Sequence, residues 1–203
     1  MGFWKEKVLP TLVDKGMRND VMAKQRHRAA PLARGRVLEI GMGSGLNIPL
    51  YNDNVDILFG LEPSAKLREI AAEPASEANF QVEMLATGAE SIPLESNSVD
   101  SVVSSWTLCS LDDSEQSLQE IRRVLKPDGQ LIFIEHGRAP DQKTAAWQRR
   151  LRPIGKALLG CDLDVPMEDL IHDAGFRFSN IEKAYLDGPP FLAYHYIGQA
   201  TPV

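Results

Sequence analysis

Three glycines at alternate positions, Gly41, Gly43 and Gly45, close the run VLEIGMGSG at residues 37–45. Glycine has no side chain to hold a bound molecule away from the backbone, and it bends where other residues cannot. A strand ending in such a turn and leading into a helix presents free N–H groups at one point, a cradle for a carboxylate or another electron-rich group. Glu62 falls at the expected end of a second strand. There a carboxylate accepts hydrogen bonds from both hydroxyls of an adenosine ribose. Glu39 has two readings. The preferred one bonds it through water to an amino group of the bound molecule; the other makes it a buried acid bracing the turn, since an unpaired buried carboxylate is costly.

The spacing bears on the choice of ligand. The dinucleotide fingerprint G-x-G-x-x-G requires its third glycine where this chain has Leu46. The loop therefore suits S-adenosylmethionine better than NAD. Taken alone, the glycines also admit another nucleotide or a purely structural turn.

These residues need a scaffold, and the hydrophobic pattern supplies one. Apolar runs at 37–41, 55–62, 80–85, 101–106 and 130–136 read as strands. Helices are expected at 46–53, at 64–73 with Ser64 as cap, and from about 114 to 125, where Leu118, Ile121, Val124 and Leu125 recur at helical spacing. This βα alternation implies a parallel sheet with helices on both faces. Residues 3–30 read as one or two helices broken near Lys15-Gly16. In the tail, 142–159 reads as a helix interrupted at Pro153, 167–174 as another, and 176–186 and 191–200 as two strands forming an antiparallel edge.

A chain of 203 residues with 43% hydrophobic and 25% charged residues fits one domain, 1–203, with a real core. The net charge of -6 argues against a general nucleic-acid binder. No export signal or apolar spanning run is evident, so a cytoplasmic location is expected. Cys109 and Cys161 form no C-x-x-C pair. They read as reduced residues without chemistry, with a place in a substrate pocket, a disulfide or a nucleophile as alternatives, and no metal site is expected.

The segments VLEIGMGSGLN at 37–47, LEPS at 61–64, GAESIPLESNSVDSVVSSWTLCS at 88–110 and EIRRVLKPDGQLIFIEH at 120–136 closely resemble the class I S-adenosylmethionine-dependent methyltransferases, in the methyltransferase type 11 family. The resemblance implies a Rossmann-like α/β fold: a mostly parallel seven-stranded sheet with an antiparallel C-terminal strand. It implies that Gly41, Gly43 and Gly45 approach the methionine portion and ribose and that Glu62 binds the ribose hydroxyls. Pro63 and Ser64 would lie beside the adenine, Ala89 and Glu90 at its edge, and Ser104, Ser105 and Cys109 near the methionine end. Many relatives carry an aspartate before the Ala-Glu pair, where this chain has Gly88. The run HGRAPDQKTAAWQRRLRPIGKALLGC at 136–161 is similar to a narrower group whose animal members are membrane-associated alkyl thiol methyltransferases. Their N-terminal membrane helix has no counterpart here, so their location is not carried over. Asp162, Leu163, Asp164 and Val165 replace that group's polar HLNR-like run.

The implied reaction moves a methyl group to a small, partly apolar acceptor with a thiol, amine or hydroxyl, leaving S-adenosylhomocysteine. The acceptor pocket would draw on an N-terminal helical lid at 1–34, the loop after residue 104 and a substrate-side insertion at 137–165, with Trp4, Trp147 and Leu151 as apolar wall or core. Arg149, Arg150, Arg152 and Lys156 support an RNA or protein methyltransferase as alternative, or else form a solvated helix face. A non-catalytic S-adenosylmethionine-binding protein is a further alternative. His136 is the leading candidate base, ahead of His172 and His195, but no residue is assigned to catalysis. A monomer or weak homo-oligomer is expected.

Overall fold

The computed structural model describes residues 9–158 and 160–203. Seven strands form one sheet: β1 (Gly35–Ile40), β2 (Val55–Leu61), β3 (Gln81–Leu85), β4 (Val99–Ser105), β5 (Leu125–His136), β6 (Phe176–Tyr185) and β7 (Tyr194–Pro202), in the order β3-β2-β1-β4-β5-β7-β6. β1 to β5 pair in parallel, while β7 runs antiparallel to both β5 and β6. The chain reverses its strand order at β1 and β4, so a crevice opens beyond the carboxyl ends of these two neighbours.

Alternation along the central strands sends side chains to two separate cores. Leu38, Ile40, Val102, Leu131 and Phe133 face one, with α4 (Ser114–Val124) and α6 (Met167–Asp173) packed over it through Leu118, Ile121, Met167 and Ile171. Val37, Val103, Ile132 and Ile134 face the other, with Ala29 of α2 (Asp20–Ala29) and Ala71 of α3 (Ala65–Glu77). At the carboxyl ends the same alternation places Glu39 and Ser105 on the second face, and Ser104 and Glu135 on the first.

Several expectations are corrected. No α-helix follows the glycine turn; residues 41–47 stay in turns and only a single 3-10 turn forms, at Ile48–Leu50. Asn47 gives its side chain to Glu39, and Pro49 has no N–H to continue a helix. The expected cradle is therefore a loop and not a helix N-terminus. α5 (Gln142–Leu158) passes through Pro153 without a break, because it is anchored on both sides, by buried Gln148 before and by Gly155 against Leu163 after. The last two strands do form an antiparallel pair at one side of the sheet, as expected, but in reversed chain order. β7 is almost wholly buried and inserts beside β5, leaving β6, with its mostly exposed residues, as the edge. Residues 190–193 form a short helix, α7 (Pro190–Ala193), where the strand was expected to begin. The N-terminal helices are α1 (Leu9–Gly16) and α2, the latter capped by Asn19. Residues 3–8, including Trp4, lie outside the described residues.

Candidate active site

The register of β1 against β2 sets Ile40 beside Leu61, so the glycine turn and Glu62 leave the sheet as neighbours. Met42 N–H donates to the Leu61 carbonyl at 2.9 Å, and Gly43 N–H to Glu62 Oε2 at 3.0 Å. Glu62 Oε1 accepts from Ser64 N–H at 2.8 Å. Burial raises the Glu62 pKa, and these two backbone donors oppose the rise. Each oxygen keeps a lone pair for a further donor.

The three glycines share positive φ angles of 62°, 60° and 78° but differ in surroundings. A Cβ on Gly41 would sit 2.4 Å from Thr107 Oγ1, and one on Gly45 would sit 2.8 Å from Ile48 Cδ1. A Cβ on Gly43 would meet only the Gly41 carbonyl, at 3.9 Å. Gly41 and Gly45 are thus fixed by packing within the protein, whereas Gly43 turns its bare face to the crevice.

Glu39 lies behind the turn, 2% exposed, with Asn47 Nδ2 donating to one oxygen and Tyr51 Oη to the other, each at 2.8 Å. Desolvation pushes its pKa up to about 7 against those two hydrogen bonds and the nearby Arg26 charge. These contacts are those of an acid bracing the turn, the less favoured of the two readings from sequence. Ser105 Oγ lies 3.1 Å from Asn47 Nδ2 and joins this cluster.

Ser104 and Cys109 are placed otherwise. Ser104 is fully buried and donates to Glu135 on the opposite face of the sheet. Glu135 also accepts the N–H groups of Thr107, Leu108 and Cys109 at 3.0, 3.1 and 3.3 Å, so one carboxylate shapes the 3-10 turn at Leu108–Ser110. Its pKa is pushed up to about 7 by burial, against these four donors. Cys109 is 3% exposed and points into the core. The sequence carried a signal for Glu135, a lone acid in the apolar run LIFIEH; Asn47 and Tyr51 had none.

Pro63 is exposed beside Glu62, and Ser64 caps α3 by accepting from Leu67 N–H at 3.4 Å. Glu62 N–H donates to the Leu85 carbonyl at 3.0 Å, which brings the segment after β3 alongside. Ala89 is buried against the core, and Glu90 is half-buried. A Cβ on Gly88 would lie 2.4 Å from Glu90 Oε2. The Glu90 carboxylate therefore occupies the space that a side chain at position 88 would take.

Three buried side-chain polar atoms lack a partner among the described residues: Asn47 Oδ1, Thr87 Oγ1 and Trp106 Nε1. They lie after β1, β3 and β4, all at the carboxyl edge of the sheet. Buried polar groups are normally satisfied, so these three orphans on adjoining loops are groups that a bound polar molecule would satisfy. Together with the bare face of Gly43 and the spare lone pairs of Glu62, they fit an adenosine carrying an amino acid. Trp106, at a φ of 54°, lies under the Arg26 guanidinium, 4.9 Å from its ring. α1 and α2 cover this side: Arg18 Nη2 donates to Ser44 Oγ at 3.1 Å, and Ser44 Oγ donates to Asp14.

His136, at the end of β5, is 3% exposed; its Nε2 lies 3.0 Å from the Phe191 carbonyl and its Nδ1 3.9 Å from Cys161 Sγ. His195 stacks edge-on to it, and burial lowers the His195 pKa to about 4. His172 is exposed, away from the crevice, beside Asp173. On α5, Arg149 pairs with Asp164, and Arg152 and Lys156 with Asp162, while Arg138 binds Asp164 at 2.7 Å. Arg149, Arg152 and Lys156 are thus tied to the two aspartates, while Arg150 lies over Trp147 and pairs with neither. Trp147 is 52% exposed, with Arg150 over its ring, and Leu151 is half-buried. Among the described residues no group of three or more His, Cys, Asp or Glu side chains is arranged to hold a metal, and no helix is long and apolar enough to cross a membrane.

A methyltransferase-domain family matches residues 38–133. Thiol S-methyltransferase TMT1B of Rattus norvegicus is 32% identical over 174 residues, 81% of this chain and 70% of that protein. Its Homo sapiens counterpart is 31% identical, over 83% of this chain and 72% of that protein. Among solved structures, YcgJ of Bacillus subtilis superposes with a TM-score of 0.60 at 22% identity, over 75% of this chain and 67% of the other. The [4+2]-cyclase SpnF reaches 0.73 at 18% identity, over 96% and 93%. At such identities these likenesses show the fold alone, and the cyclase illustrates that the scaffold hosts more than one chemistry.

Proposed function

Since this chain belongs to the class I S-adenosylmethionine-dependent methyltransferases, in the methyltransferase type 11 family and related to its thiol methyltransferases, we propose that it methylates the thiol of a small, partly apolar acceptor. The relatives that cover most of the chain are named for thiol S-methylation. The observation on the protein itself that carries this reading is the state of His136, whose two ring nitrogens are engaged by Phe191 and Cys161 inside the core. An acceptor that needs a strong base would be poorly served by such a site. A thiol with a pKa near 8.5 ionises appreciably at neutral pH without one.

When bound, S-adenosylmethionine supplies a methyl group on a sulfonium, already activated for in-line displacement. The protein's part is then to bind, align and exclude water. Glu62 accepts the ribose hydroxyls while Gly43 and Ser64 hold its carboxylate in place. Gly41, Gly43 and Gly45 shape the wall, and Asn47 Oδ1, an acceptor without a partner among the described residues, would accept from the amino group, with Ser105 bonded to the same side chain. Pro63, Ser64, Ala89 and Glu90 border the adenine, the Glu90 carboxylate taking the acceptor position that Gly88 leaves. Ser104, Cys109 and Glu39 act from behind, through the loops they fix. α1 and α2 serve as the lid and the 137–165 segment as the acceptor wall, with the acceptor proton passing to water.

The test is methyl transfer from labelled S-adenosylmethionine into matched alkyl thiols, amines and phenols, alongside RNA and protein extracts. Labelling of thiols with S-adenosylhomocysteine released in equal amount is the expected result. Labelling confined to amines or phenols would overturn the thiol assignment, and labelling confined to macromolecules would overturn the small acceptor.

A further inference from the structure

The chain has two cysteines, 52 positions apart, and the fold sets them against each other. Cys109 comes from the turn after β4, Cys161 from the segment after α5, and their sulfurs lie 3.1 Å apart as free thiols. Asp162 N–H donates to the Cys109 carbonyl at 2.8 Å. A Cβ on Gly155 would come within 2.9 Å of the Cys161 carbonyl, so α5 is seated directly on the same segment.

The two thiols are not equivalent. Cys109 is buried; its hydrogen bond to Cys161, its burial and the Glu135 carboxylate all disfavour a thiolate there. Cys161 is half-buried, and the hydrogen bond it shares with Cys109 together with His136 holds its thiol below the ordinary range, against the opposing effect of burial. A partly buried sulfur whose ionisation is eased, 3.1 Å from a fully buried thiol, is the arrangement of an attacking and a resolving cysteine.

We propose that Cys161 and Cys109 form a peroxide-reactive dithiol that closes to an intramolecular disulfide, bonding the end of α5 to the β4 turn. The Cys161 sulfur attacks one oxygen of a hydroperoxide. The O–O bond breaks, the departing alkoxide or hydroxide takes a proton, and Cys161 becomes a sulfenic acid. The Cys109 sulfur then attacks the Cys161 sulfur; the S–O bond breaks and water leaves with the Cys109 proton. Two thiols have lost two electrons and two protons, and the hydroperoxide is reduced to an alcohol or water and a second water. The sulfurs need to approach by only about 1 Å to reach bonding distance. Any effect on catalysis rests on the reading that this segment borders the acceptor; the thiol chemistry does not.

The full-length reduced protein is treated with stoichiometric hydrogen peroxide, its thiols are counted after denaturation, and its mass is taken before and after reductant. Both thiols should disappear with a loss of about 2 Da, the two thiol hydrogens, and return on reduction with no intermolecular band on a non-reducing gel. Cys109→Ser should stop at a sulfenic acid that dimedone traps on Cys161, and Cys161→Ser should leave Cys109 unreactive. Thiols that survive peroxide, a linked dimer, oxygen addition in place of hydrogen loss, or dimedone labelling of Cys109 instead of Cys161 would each overturn the proposal. Thiol methylation by the disulfide form should fall about tenfold or more, because displacements near 1 Å at a reacting site carry such costs. Equal activity in both forms would overturn the link to the acceptor side, while failure of the methyl-transfer panel with intact disulfide formation would strike the acceptor reading alone.

Discussion

Gly43 and Gly45 share a left-handed backbone but face different neighbours, and the difference separates binding from folding. Alanine in that backbone region costs about 1 to 2 kcal/mol at either position. At Gly45 the new methyl also overlaps Ile48, with Pro74 and Ala71 close behind, adding about 1 to 3 kcal/mol of overpacking. Gly43→Ala is therefore expected to unfold earlier in urea by that backbone cost alone, yet to lose most of its S-adenosylhomocysteine affinity by calorimetry. Gly45→Ala should show the larger loss in urea midpoint. Glu62→Ala removes two charge-assisted bonds worth about 1.5 to 3 kcal/mol each, so cofactor affinity should fall roughly 10²- to 10⁴-fold; unchanged affinity would refute its ribose role. The glycines and Glu62 were legible because a strand end and a spacing locate them. Asn47, Tyr51 and Thr107 were not, since each acts through a tertiary contact that no local pattern encodes. Glu39 was found but given the less well supported role, and its brace has a signature in pH. Its pKa rises from 4.5 to about 7 on folding, so the folded state binds the extra proton. That contribution is fully present below pH 4.5 and is lost as pH rises through about 7. His195, lowered to about 4, acts in the opposite sense, costing stability as pH falls from 6.5. The difference in unfolding free energy between native protein and Glu39→Gln isolates the first effect and should shift against the native carboxyl between pH 5 and 7.

At the scale of elements, the informative piece is α5 with the segment that follows it. Pro153 and a run of bases read from sequence as a broken, solvated helix, because helical pattern alone does not reveal what lies across from it. Asp162 and Asp164, each about nine-tenths buried, take up Arg152 with Lys156 and Arg138 with Arg149, and so strap α5 down across its proline. The substitutions that looked like departures from the polar run of the relatives are the anchors of this strap. Single exposed ion pairs contribute about 0 to 1 kcal/mol, but shared, partly buried carboxylates carry more. The double variant Asp162→Asn, Asp164→Asn should lose amide-exchange protection along α5 and raise the acceptor KM, with the affinity for S-adenosylhomocysteine little changed. If protection in α5 stays at the native level, the strap is not what holds the helix. The missing helix after the glycine turn has the same lesson in reverse: Leu46–Asp53 has helical promise, yet the Asn47 bond to Glu39 takes the chain elsewhere.

For the whole molecule, the alternation of strands and helices and the antiparallel C-terminal strand were legible because hydrophobic period and turn residues encode them locally. The insertion of β7 inside β6 was not, although its nearly unbroken burial matches an interior strand. Pairing order is decided by which strand must be covered on both faces, a property of the sheet as a whole. The finished sheet gathers the loops after β1, β2, β3 and β4 at one edge, which carries Gly43, Glu62, Thr87 and Trp106 and is the place proposed for the cofactor. A ligand that joins four loops and satisfies orphaned polar atoms binds the folded chain and not the unfolded one. At a concentration one hundred times its Kd it adds about 2.7 kcal/mol to stability. For a chain of this length each kcal/mol raises the melting temperature by about 2 to 4 °C. S-adenosylhomocysteine should therefore raise the melting temperature by about 5 to 10 °C under those conditions, with no shift from NADH, whose pyrophosphate asks for a glycine where Leu46 stands. The shift should vanish in Glu62→Ala and persist in Asp162→Asn, Asp164→Asn; a shift that survives loss of Glu62 would place the ligand somewhere other than this edge.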